Sequence, residues 1–301
     1  MLLMVLSAAA ADTPTQLVNA RMRHVVFHLG PGIELRVDDL GGQLVSLAPG
    51  KPVLFDDVRA YLVKIESARV SMTPESLTRL MNDYVFAYPD APLKDLKITI
   101  EGNELRQTGT LKKGIGVPFN IRATVDATAD GQIRIHPVAI KAAGFVPKGV
   151  LDFFGLELER LVKLKHTPAV KIAGDDLLLD PERLLPPPRI QGRLTRAWIE
   201  NGVVVEQFGP AGAKPALAPA DPRVKNYMYY RNGLLKFGKL TMEDTDLLLV
   251  DADQKNPFDF SPAEYNRQLV AGYSKNTPNH GLIVYMPDLS ALPRRVASGG
   301  R

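Results

Sequence analysis

Apolar and polar residues alternate with a period of two over much of this chain. That period puts successive side chains on opposite faces of a strand and marks a half-buried sheet. Arg21 to Leu29 is rich in β-branched and aromatic residues, and Gly30-Pro31-Gly32 turns the chain. Ile33, Leu35 and Val37 then alternate with Glu34, Arg36 and Asp38. Gly41-Gly42 reads as another turn, and Val58 to Met72 as a long strand. The clearest alternation sets Val117, Phe119, Ile121, Ala123, Val125 and Ala127 against Asn120, Arg122, Thr124, Asp126 and Thr128. The next strand, 133–141, slips a step at His136-Pro137. This predicts a bulge or a sheet edge, because proline cannot donate to the ladder. Gly102-Asn103, Asn201-Gly202 and Asn232-Gly233 each suit a hairpin turn.

A helical period interrupts this pattern twice. Thr73 can cap a helix with Pro74 at its first position, where a missing N–H costs nothing. Leu77, Leu80, Met81, Tyr84 and Val85 then fall at i, i+3, i+4, i+7 and i+8, one apolar stripe. A second helix is expected from about Lys148 to Leu164. Its apolar set, including Leu151, Phe154, Leu158 and Leu161, extends round most of the circumference. Such a helix is either deeply buried or lines an apolar cavity. A short third helix over 262–271 has Ser261 as its expected cap.

Length and composition change the picture only in part. The chain has 301 residues, above the roughly 100–200 usual for one domain, so two units are expected. The divisions are 17–208, a linker or long loop at 209–222 (GPAGAKPALAPADP), a smaller β-rich unit at 223–292 and a disordered tail at 293–301. The absence of cysteine excludes disulfides, thiolate metal sites and cysteine nucleophiles. The net charge of +4 is dispersed and does not point to nucleic acid. Met1 to Ala11 (MLLMVLSAAAA) ends in small residues that fit an A-x-A cleavage site, although it lacks a basic n-region. Residues 1–11 are therefore expected to be a signal peptide, and the protein to be exported, periplasmic or envelope-associated. No later segment approaches the roughly 18 uncharged apolar residues of a transmembrane span.

From 58 to 180 the order is strand, helix, four-stranded meander, helix, strand. Within it lie MTPESLTRLMN at 72–82, GTLKKGIGVPFNIRATVDATADGQIRIHPVAIKAAG at 109–144 and VPKGVLDFFGLELERL at 146–161. This stretch, under half of the chain, resembles the tubular lipid-binding (TULIP) superfamily. More narrowly, it is similar to the LmeA-type (DUF2993) phospholipid-binding family. The resemblance implies an α+β, β-dominated fold in which a highly curved antiparallel sheet wraps around two amphipathic helices. It implies a tube for acyl chains and a role at cell envelopes as a lipid carrier or lipid-modifying protein. It carries over no catalytic residue. The strands of 190–301 lie outside it, and an extension of the same sheet is the alternative to a separate unit.

The candidate lipid-binding residues are Leu77, Leu80 and Met81 on the first helix and Leu151, Phe154, Leu158 and Leu161 on the second. The competing reading is that these residues fill a solid core. No G-x-S-x-G, phosphate-binding loop or G-x-G-x-x-G is present, so no catalytic residue and no cofactor is assigned. His24 and His28, on one strand, lie ~13 Å apart, too far for one metal ion. Asp251-Ala252-Asp253 opens like a calcium-binding loop, but Lys255 occupies the next ligand position, and no metal is assigned. Lys112-Lys113 and Arg294-Arg295 read as solvated charge pairs, with peripheral contact to anionic headgroups as the alternative. Tyr227 to Tyr230 reads as a packed strand or as an amphipathic surface for a membrane or partner. The expected function is the binding, or carriage, of a phospholipid or another long-chain lipid. The rivals are a scaffolding protein with a solid core and a lipid hydrolase of unfamiliar design.

Overall fold

A computed structural model describes residues 17–112, 116–142, 169–213 and 217–293. Strands β1 (Val18–Gly30), β2 (Ile33–Ser46), β3 (Val53–Leu54) and β4 (Tyr61–Met72) lead into helix α1 (Pro74–Leu80). A meander follows: β5 (Leu93–Glu101), β6 (Glu104–Leu111), β7 (Val117–Ala127) and β8 (Ile133–Ala142). Then come β9 (Val170–Ala173), β10 (Asp176–Leu179), α2 (Pro181–Leu184), β11 (Arg189–Gln191), β12 (Leu194–Glu200) and β13 (Val203–Phe208). The remainder is β14 (Tyr227–Arg231), β15 (Leu235–Phe237), β16 (Leu240–Met242), β17 (Asp246–Asp251), β18 (Phe258–Phe260), α3 (Tyr265–Ala271), β19 (Tyr273–Asn276) and β20 (Leu282–Met286).

The protein is β-dominated, with large antiparallel sheets. The largest runs β12-β13-β4-β2-β1-β14-β17-β20-β19, with β11 beside β4 and β18 beside β1. A six-stranded sheet runs β5-β6-β7-β8-β10-β9, and β16-β15-β3 form a small third sheet. One continuous core joins them, from Val18 and Leu44 through Leu105 and Phe119 to Phe258 and Met286. The helix expected at 148–164 and the segment 1–11 lie outside the described residues.

Several hairpins form where the turn residues ask for them. Asn201 and Gly202 take φ of 51° and 75°, the left-handed pair of a tight turn, and Glu200 pairs with Val203 across it. At Pro137 the β7–β8 register shifts, so that Ala123 faces Pro137 while Arg122 faces Ala139. The extra residue is Val138, which is exposed.

Other expectations are corrected. Gly41 and Gly42 are not a turn but lie inside β2, opposite Arg21 and Ala20 of β1. A Cβ on Gly42 would lie 2.1 Å from the Lys64 carbonyl oxygen, and the β2–β4 register slips there. The glycines permit a bend and a close approach in a continuing strand. Asn232-Gly233 does turn the chain, but β14 pairs with β17 and not with the residues that follow the turn. Leu235 and Phe237 instead carry β15 to β3, where Phe237 meets Phe55 at 5.1 Å between ring centroids. The third helix begins at Tyr265, with Glu264 and not Ser261 at its cap position.

Residues 223–292 do not build a sheet of their own. β14 pairs antiparallel with β1, and β17 and β20 extend the same sheet beyond it. Phe55 explains the merger, since its ring packs against Tyr230, Phe237, Phe260 and Tyr265. Both parts of the chain thus contribute aromatics to one buried cluster. The residues 227–230 are buried on both faces of the sheet: Met228 and Tyr230 enter the main core, and Tyr227 and Tyr229 pack with Leu217 and Val224. Part of the expected linker thus covers the sheet, and Leu217 accepts a hydrogen bond from Arg21 at 2.8 Å.

Helix α1 and the turn that follows it cover the β5 edge of the six-stranded sheet. Asn82 Nδ2 donates to the Leu96 carbonyl at 2.7 Å, and its Oδ1 accepts from the Leu96 N–H at 3.0 Å. Thr78 Oγ1 accepts from the Ile98 N–H at 2.9 Å and donates to the Pro74 carbonyl at 2.8 Å. Side chains thereby satisfy edge groups that would otherwise invite another strand. Asn82→Ala leaves the Leu96 pair unsatisfied, and we expect a loss of about 1–3 kcal/mol in urea unfolding with an unchanged m-value. An unchanged midpoint would show that the edge is held by other means.

Candidate functional site

The local sequence that positions α1 also builds one wall of an apolar cavity. β4 ends at Met72. Thr73 accepts from the Ser76 N–H at 3.2 Å, and Pro74 starts the helix as expected. Leu80 and Met81 turn inward and are buried. The next turn, Met81–Val85, is a π-helix in which the Phe86 N–H donates to the Met81 carbonyl at 2.8 Å. Its longer turn rotates Tyr84 off the expected stripe, leaving it 43% exposed while Val85 is buried.

Leu77, Leu80 and Met81 line this cavity. Met72, Val204 and Glu206 of the large sheet form a second wall. Leu105, Gln107, Ile121, Ala123 and Ile133 of the six-stranded sheet face them, and Pro181, Leu184 and Leu185 close another side. Among the described residues, all that line it but Gln107 and Glu206 are apolar, and the volume is about 60 Å³. The structure therefore brings together three of the seven residues expected to bind lipid. Leu151, Phe154, Leu158 and Leu161 lie outside the described residues.

Glu206 was not among the expected site residues. It sits on β13 between Val70 of β4 and Ala197 of β12, both apolar and buried. It is 9% exposed and has no hydrogen-bond partner among the described residues. Burial pushes its carboxyl up from 4.5 to about 7. A signal for it was present. Alternation along Val203–Phe208 puts Glu206 on one face with Val204 and Phe208, a carboxylate on an apolar stripe.

Two other polar groupings differ in kind. His28 and Asp259 meet at 2.5 Å and tie β1 to β18, while His24 lies four residues earlier on β1 with a φ of 48°. Asp251 and Asp253 are joined by Asp288, their carboxylates all within 4.8 Å of one another. Internal donors already serve this cluster: Asn226 and the Asp253 N–H reach Asp251, and Asn256 and the Asp259 N–H reach Asp288. Burial pushes both Asp251 and Asp288 upward. Lys112 pairs with Asp90 at 3.3 Å, and no helix among the described residues is long and apolar enough to cross a membrane. Comparisons with family models, with curated proteins and with solved structures give no match.

The raised Glu206 carboxyl has a consequence for stability. The unfolded chain ionises from its ordinary value of 4.5, the folded chain only near 7, so folding weakens as pH rises through that window. We expect a contribution of up to about 3 kcal/mol, absent in Glu206→Gln. His28, held above its usual value, also loses its contribution as pH rises past 6.5, but the substitution leaves that part intact. Burial alone would lower the imidazole value, and the Asp259 hydrogen bond and charge, with Glu34, outweigh it. Unfolding curves from pH 4.5 to 8 should therefore show the variant gaining on the wild type as pH rises. Parallel profiles would place Glu206 in contact with water.

Proposed function

We propose that the protein binds the chain of a phospholipid or another long-chain lipid between its two larger sheets, at the cell envelope after export. The observation that carries this reading is the apolar cavity walled by Leu77, Leu80 and Met81. Each methylene moved from water into such a space contributes about 0.8 kcal/mol, so shape need not be strict. A volume of about 60 Å³ takes the end of a chain, and longer uptake requires the walls to part. A curved sheet wrapped around two amphipathic helices belongs to this proposal. α1 supplies one apolar face, and the helix expected at 148–164 would supply the other with Leu151, Phe154, Leu158 and Leu161.

The same small volume favours a second reading, a scaffolding protein with a nearly solid core. Native mass spectrometry of the purified protein, followed by lipid extraction, separates the two. Lipid binding predicts a co-purified or added lipid at one equivalent. A clean apo mass that stays clean with added phospholipid supports the scaffold.

Ala123, buried on β7 in the cavity wall, gives a second test. Ala123→Val adds two methyl groups at the void. If the void is the binding space, the variant keeps its stability within about 1 kcal/mol and loses lipid uptake. In a filled core the same change overpacks, costing about 1–3 kcal/mol.

A further inference from the structure

We infer that Glu206, with Gln107 opposite, makes this cavity selective for apolar chains that carry a basic amine, and against chains that end in a carboxylate. The inference rests on the reading that the cavity takes up an apolar chain, and it narrows the ligand class. Glu206 is nine-tenths buried and lines the cavity. Among the described residues, no lysine, arginine or histidine lines the cavity and no hydrogen bond reaches the carboxyl.

A carboxylate in such surroundings lacks both a counter-charge and a donor, which costs several kcal/mol when it is ionised. A ligand that brings an N–H-bearing cation supplies both. A charge-assisted hydrogen bond is roughly twice as strong as a neutral one, so an ammonium should outcompete a hydroxyl on an equal chain. Gln107 offers an amide oxygen to a second N–H. A ligand carboxylate places like charge against Glu206, and a phosphate beside the nitrogen does the same. The class that fits is therefore a long-chain amine with no anionic group next to its nitrogen. The rise of the Glu206 value to about 7 agrees with the geometry, since an unpaired buried carboxyl holds its proton to higher pH than an exposed one.

The test uses the full chain at about pH 8 with octylamine, octan-1-ol and octanoate. Binding is followed through methyl resonances of cavity residues such as Leu105 and Ile121, which excludes contacts elsewhere on the surface. We expect octylamine to bind at least about tenfold more tightly than octanol, and octanoate more weakly than either. Glu206→Gln should abolish the preference for amine while retaining octanol, with folding checked by its unfolding curve. Equal affinity for amine and alcohol, or a preference that survives Glu206→Gln, overturns the selectivity and leaves chain binding standing. No shift of the cavity methyls with any of the three overturns both.

Discussion

Strand β1 is the constraint around which the rest of the chain is arranged. His24 holds a left-handed φ of 48° in its middle and divides it into two halves. The first half, Asn19 to Arg23, pairs antiparallel with β14, and the second, Val25 to Phe27, pairs parallel with β18. On its other side, β2 pairs along almost the whole length. A left-handed residue that is not glycine costs about 1–3 kcal/mol and persists only where its surroundings over-determine it. Here the surroundings are the His28–Asp259 bond and the contact of Phe27 with Phe260 at 5.9 Å. Because β1 accepts both the N-terminal hairpin and the C-terminal strands, the described residues share one main sheet and one main core, with a smaller cluster around Tyr227 and Tyr229 on the outer face.

That shared core explains how buried polar groups divide. At the strand ends, Asp251 and Asp288 are buried but surrounded by amides and backbone N–H groups. Such a cluster knits loops together through the donors it already has. Glu206 is buried in mid-sheet, where neighbouring backbone groups are committed to the ladder and neighbouring side chains are apolar. A polar group that a fold leaves without an internal partner carries a free-energy cost, and a ligand can relieve it. Glu206 carries such a cost in the cavity between the sheets, whose described walls are otherwise apolar apart from Gln107.

The helix edge shows the same economy of partners. Thr78 on α1 and Asn82 in the π-helical turn that follows it are four residues apart, and both reach the backbone of β5. They hold the helix against the six-stranded sheet, so Leu77, Leu80 and Met81 are kept on the cavity side. Positioning of the wall thus depends on polar groups outside it.

What was legible in the sequence was local. Period-two alternation marked the strands, Thr73-Pro74 marked the start of α1, Asn201-Gly202 its hairpin and Pro137 its bulge. Each is set by the sterics and hydrogen bonding of a few consecutive residues, which act the same wherever the segment ends up. The inward stripe at Leu77, Leu80 and Met81 was legible for that reason too. Tertiary structure decided what needed a distant partner. Gly41-Gly42 became a bend because β4 packs across it, Asn232-Gly233 released β15 to pair with β3 beside Phe55, and residues 223–292 joined β1 through β14 and a shared aromatic cluster. Glu206 lay in plain view on an apolar stripe, but only the closing of the second sheet over it made that carboxyl buried, unpartnered and part of a cavity. Long-range burial depends on which faces meet, and no local pattern encodes that.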